Sequence, residues 1–145
     1  MNDEPQSASL RFTAWIAETI RSLGILPEGA VFDERNKDLE KHIREKLARL
    51  NIACAVSLPA LQQADEDDAD AYRIEVLVAI ERNTALSEID SYWVAERILS
   101  ALKGRQFEDS AGDWVFHRVN VSRLTHGSGA SRALHTLTVS ANINI

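Results

Sequence analysis

The sequence predicts an α+β domain: a mostly antiparallel sheet of four to five strands, packed with two to three helices on one side. Two observations carry this. The apolar period switches from helical spacing at Phe12, Ile16, Ile20 and Leu23 to strict alternation at Tyr72, Ile74, Val76, Val78 and Ile80. The alternating stretches also come in pairs instead of taking turns with helices, which favours hairpins over a parallel sheet. At 145 residues, 45% hydrophobic and 26% charged, the chain suffices for one domain, residues 1–145, with a core that needs no disulfide or metal.

The elements follow in order. Residues 1–6 read as a polar, disordered lead. Ser7 or Ser9 caps a first helix whose Phe12, Ile16, Thr19, Ile20 and Leu23 share a face, widened by Trp15. Gly24 supplies a left-handed stop, and Pro27 prevents resumption. Ala30-Val31-Phe32 is a short strand. A second helix over residues 37–50 lines up Leu39, Ile43, Leu47 and Leu50, with Lys41, Arg44, Glu45 and Arg49 off that stripe, so it lies on a surface. Ile52, Cys54, Val56 and Leu58 alternate as a strand that Pro59 ends. Residues 62–71 are acidic and lack an apolar pattern, which predicts a mobile acidic loop.

Tyr72 to Ile80 is the next strand, and Leu77 and Ala79 on its other face predict that it is central and covered on both sides. Ser87-Glu88-Ile89-Asp90 fits a capping box for a helix over residues 88–103, with Ile89, Val94, Ile98 and Leu102 inward and Gly104 as its stop. Val115, His117, Val119 and Val121 alternate in the penultimate strand. His126-Gly127-Ser128-Gly129-Ala130-Ser131 reads as a flexible hairpin connection. The last strand sets Leu137, Val139, Ala141, Ile143 and Ile145 on one face and Thr136, Thr138, Ser140, Asn142 and Asn144 on the other.

Charge and motifs remove several function classes. With 16 Lys+Arg against 22 Asp+Glu, the net charge of -6 argues against sequence-independent nucleic-acid binding and against an anionic lipid surface. No run approaches the ~18 apolar residues of a membrane span, and the acidic start has no signal-peptide pattern. The single Cys54 permits no internal disulfide, so a reducing compartment is the default. Cys54 alternates with Ile52 and Val56, which assigns it to packing. His117, His126 and His135 are evenly spaced, but two fall in strands and one in a predicted loop, so they are not expected to converge on a metal. From Asp65 the EF-hand template fails: Ala69 and Asp70 stand at its fifth and sixth positions and Val76 at its last. There is no Gly-x-Ser-x-Gly elbow, and Gly127-Ser128-Gly129 lacks the Lys-Ser/Thr of a phosphate loop. Glu75 and Glu81 share a strand without evidence of a cleft. No catalytic, cofactor-binding or metal-ligating residue is expected, and no enzyme.

Assembly fits better. The final strand has no charge after Arg132 and no Lys, Pro or bulge to defend its edge, so it is either central or covered by another subunit. Trp15, Trp93 and Trp114 are more anchors than one small core needs. The candidate interface residues are Asp67 and Asp68 of the acidic segment, Trp93, Trp114 and Arg132.

The second half also resembles a family. Tyr72-Arg73-Ile74-Glu75-Val76-Leu77-Val78-Ala79-Ile80-Glu81-Arg82-Asn83 leads into Ser91-Tyr92-Trp93-Val94-Ala95-Glu96-Arg97-Ile98-Leu99-Ser100-Ala101-Leu102-Lys103-Gly104. Val119-Asn120-Val121-Ser122-Arg123-Leu124 and Leu134-His135-Thr136-Leu137-Thr138-Val139 follow. This succession is similar to small tail terminator or tail completion proteins of long-tailed phages and prophages, in element order over residues 10–145. The resemblance implies a structural role: a ring, typically a hexamer, that caps the tail tube and joins it to the head or neck. It further implies no catalytic residues or cofactors, no nucleic-acid or membrane partner, and a place in the virion after assembly in the bacterial host cytoplasm. The acidic segment and residues 127–131 occupy places where such proteins make subunit or tube contacts. The alternative is a ferredoxin-like order over residues 30–123, which suits a small-molecule or regulatory binding module.

Overall fold

The computed structural model describes residues 7–33, 38–65, 68–83, 90–109, 115–128 and 132–144. The polar lead, residues 1–6, lies outside them. Ser7 starts the first helix: its Oγ accepts from the Leu10 amide at 3.2 Å, opening α1 (Ala8–Ser22). Gly24, at φ +66, ends it as the sequence predicts. Then come β1 (Val31–Asp33), α2 (Leu39–Leu50), β2 (Ile52–Asp65), β3 (Asp68–Asn83), α3 (Ser91–Leu102), β4 (Gln106–Asp109), β5 (Val115–Ser128) and β6 (Arg132–Asn144).

Among the described residues these strands form one sheet in the order β1-β2-β3-β6-β5-β4. β1 and β2 are parallel and every other neighbouring pair is antiparallel. The class is thus α+β with a mostly antiparallel sheet. The sheet gains a strand over the sequence reading because β4 is too short for alternation to show; only Phe107 marks it, buried against Phe12 and Trp15.

Helices cover both faces. α1 and α3 press Phe12, Ile16, Ile20, Val94, Ile98 and Leu102 onto Ile52, Cys54, Val56, Ile74, Val76, Val78, Ile80, Leu137 and Val139. α2 sits on the opposite face, where Leu47 closes on Phe32, Ala53 and Ala55 with Leu39 and Ile43 beside it. Its apolar stripe fixes that α2 packs, but a stripe carries no information about which face receives it. The covering of β3 on both sides, expected from Leu77 and Ala79, follows from this arrangement. The strand order departs from the ferredoxin-like alternative. A split βαβ inserts a strand between the two that its helix connects, whereas β1 and β2 are direct neighbours here.

Four boundaries differ from expectation. β2 does not stop at Pro59; the ladder slips between Ser57 and Ala60, and the proline's missing N–H falls inside that irregularity. Most of the expected acidic loop is a paired hairpin, with Gln62 opposite Arg73, Gln63 opposite Tyr72 and Asp65 opposite Asp68. Backbone pairing there needs no apolar alternation, so the composition hid it. α3 is capped by Asp90, whose carboxylate accepts from the Trp93 amide at 3.1 Å, later than the capping box predicts; Ser87 to Ile89 lie outside the described residues. β5 runs on through His126 to Ser128, so these residues belong to a strand, not to a connection. β6, the undefended last strand, is paired on one side by β3 and on the other by β5. Its lack of edge defence is that of a central strand. No helix among the described residues is long and apolar enough to cross a membrane.

Candidate functional site

Among the described residues the interior is apolar apart from Thr13, Thr19, Asp33, Ser91 and His135. The two threonines return their hydroxyls to carbonyls of their own helix. Ser91 and His135 do something else, and they do it together with His126 and Tyr92.

The β5–β6 register builds the pair. Ser128 lies opposite Ala133, and the ladder counts back without a slip to His126 opposite His135. Both imidazoles point to the α1/α3 face, and their Nδ1 atoms are 2.6 Å apart. The first residue of α3, Ser91, brings its Oγ to 2.7 Å from the other ring nitrogen of His135. The next, Tyr92, lays its ring 4.6 Å from His135 and 4.8 Å from His126, centroid to centroid. Ser91 and His135 are fully buried, while Tyr92 is half-exposed and closes the cluster from outside.

This corrects the placement of His126 in a loop: it belongs to β5, and the strand register sets it against His135. The signal was available in the numbering: any hairpin register symmetric about the midpoint between positions 130 and 131 sets residues 126 and 135 opposite each other. His117 pairs by backbone with Phe107 at the other end of β5.

The electrostatics favour a neutral His135 ring. His135 titrates below the ordinary imidazole range, first because it is buried, then because His126 and Arg82 stand near it; Asp90 opposes them weakly. The amino end of α3, with its partial positive charge, acts in the same direction. Two nitrogens bound to one tetrahedral zinc sit about 3.3–3.4 Å apart at ordinary Zn–N lengths. The closer, facing Nδ1 atoms here are those of a shared proton instead, and no third His, Cys, Asp or Glu among the described residues converges on them. Ser91, His135 and His126 are connected in the order of a hydrolase's nucleophile, base and orienting group. Yet Ser91 is 0% exposed, so its Oγ is sealed from any substrate carbonyl in the folded chain. Cys54 is sealed as well, and burial pushes its thiol up to about 12, against a small opposing effect of Arg21, so it carries no thiolate.

The predicted interface residues divide between the two ends of the sheet. Arg132 lies opposite Asn83 and within 3.7 Å of Glu81, mostly exposed. Trp93, at the same end, is 49% exposed at the start of α3. Asp68 begins β3 at the other end, roughly 50 Å along the strand at ~3.3 Å per residue, with its backbone paired to Asp65. Asp67 and Trp114 lie outside the described residues. These residues therefore make two patches. No protein-family model matches the chain, and no curated protein matches it.

Proposed function

We propose that this chain is a structural subunit of a phage or prophage tail, a ring-forming tail terminator or tail completion component that joins the tail tube to the head or neck. The observation that carries the reading is the outer end of the β2–β3 hairpin. The buried core on β3 runs from Ile74 to Ile80, but β2 and β3 go on pairing past it to Asp65 and Asp68. β6 accompanies β3 as far as Ala71↔Asn144; beyond that register β2 and β3 are a two-stranded ribbon, which is marginal by itself in water. An acidic ribbon held beyond the core, with Leu61 45% exposed at its base, suits a contact with a neighbouring subunit or with the tube. The sequence resemblance supports the same role and would place the protein in the virion after assembly in the host cytoplasm. Closed symmetry lets such contacts saturate without growing fibres, and the net charge of -6 keeps free subunits apart.

Light scattering over a concentration series, with electron microscopy of the largest species, is expected to show closed rings, alone or on the ends of matching tail tubes. Asp67→Lys combined with Asp68→Lys is expected to weaken assembly about tenfold, or ~1.4 kcal/mol, with the circular dichroism spectrum and melting of the subunit unchanged. A chain that stays monomeric at every concentration and does not bind tube ends overturns the reading.

A further inference from the structure

The cluster around His135 joins three elements through hydrogen bonds that depend on proton count. Two neutral imidazoles with facing Nδ1 atoms need one proton between them. Either Ser91 donates its O–H to His135 Nε2 while His135 Nδ1–H donates to His126, or both bonds run the other way. The hydrogen bonds still fit with one added proton if it sits on exposed His126, whose Nδ1–H then donates to His135 Nδ1 while His135 Nε2–H donates to Ser91 Oγ. A second proton is not: two N–H groups would face each other across 2.6 Å. We infer that Ser91, His135 and His126 form a pH-sensitive latch, which holds the β5–β6 hairpin against the start of α3 until both histidines are protonated.

The surroundings set the sign. From β3, Arg82 faces His135; from β5, His126 does; at the start of α3, Asp90 and Tyr92 do. Among the described residues, Asp90 alone of these favours a cation. Glu81 and Arg132 pair with each other on the opposite face. The closed latch holds at most one extra proton; opening releases His135 from the burial that holds it below the ordinary imidazole value of 6.5, so that it takes the second. Closure is therefore fully present above that value and is lost below it, by up to about tenfold per pH unit for the one proton of difference.

Amide exchange of the full chain at pH ~7.5 and ~5, either side of the imidazole range, tests this. After correction for intrinsic rates, residues 91–94, 124–126 and 134–136 are expected to lose protection at the lower pH, while residues 76–78 keep theirs. His126→Asn is expected to remove the pH dependence, because an amide accepts from or donates to His135 in either charge state. His126→Asp is expected to reverse it, because a carboxylate welcomes the His135 cation. Unchanged protection in the wild type, or a wild-type slope in His126→Asp, overturns the latch. Should the Asp variant fail to fold, imidazole nitrogen shifts of the wild type decide: both rings doubly protonated with residues 124–126 still protected would equally overturn it.

Discussion

Under α1 and α3 the sheet offers Ile52, Val56, Ile74, Val78, Ile80 and Leu137, none measurably exposed, whereas under α2 it offers Ala53, Ala55 and Phe32 to a single fully packed leucine, Leu47. The same strands make both faces, and their alternation is equally regular on each. What differs is side-chain size. Large β-branched residues on the first face require cover along most of the strands, and two helices supply it. Alanines on the second face let one helix approach closely over a narrow strip. Beyond that strip Thr136, Thr138 and Ser140 are only half-buried. At about 25 cal/mol per Å² of apolar area, most of the folding energy sits on the first face. The second face is free to evolve contacts with something outside the chain.

Removing residues 138–145 breaks both faces at once. β6 is bonded to β3 over Leu77↔Thr138 through Ala71↔Asn144 and to β5 over Arg123↔Thr138 through Val119↔Ala141. Its loss opens the sheet over that stretch, takes Val139 and Ala141 out of the core and uncovers their cross-strand neighbours Ile74, Val76 and Val119. The truncated chain is expected to show no cooperative melt by circular dichroism, and a normal melt would refute the central placement of β6. A smaller effect separates the faces. Leu137→Ala is expected to cost ~3 kcal/mol, in the usual range for a buried leucine. Leu47→Ala is expected to cost nearer ~2 kcal/mol, because half-buried Leu39 and Ile43 can relax into the space. Urea unfolding of both variants measures the difference. Equal costs would mean that α2 seals its face as tightly as α1 and α3 seal theirs.

The first face was legible in the sequence for a physical reason. Ile74, Val76, Val78, Ile80, Leu137 and Val139 alternate because each must leave water, and the same requirement put Phe12, Ile16 and Ile20 one helical turn apart. Where burial does not dictate the residue, the pattern fell silent. The outer β2–β3 ribbon lies past the core, so the paired stretch from Gln62 to Asp65 carries no apolar alternation and reads as loop. Residues 106–109 span too few positions for a period to register. The His126–His135 contact lay in the arithmetic of the hairpin and not in hydropathy, since an exposed and a buried histidine look alike as letters. Asp90 as the α3 cap was hidden by the better-looking serine at 87.

The smallest expected effect is the most local test of the two faces. Thr138 and Val139 are neighbours in β6, one half-buried on the second face and the other fully buried on the first. Thr138→Val exchanges the hydroxyl of a half-buried side chain for a methyl, next to half-buried Leu77 across the strand pair. It is expected to move the stability of the isolated chain by no more than about 0.5 kcal/mol, the range of ordinary surface substitutions. Val139→Thr puts a hydroxyl into the apolar layer with no partner to meet it, at an expected ~1–3 kcal/mol. Measuring both by the same urea titration places the water boundary between adjacent residues. A destabilisation above ~1 kcal/mol for Thr138→Val would show that the second face is packed within the subunit itself. In that case the Thr and Ser residues of β6 would be filling a closed layer, and the ground for reading that face as open to a partner would be gone.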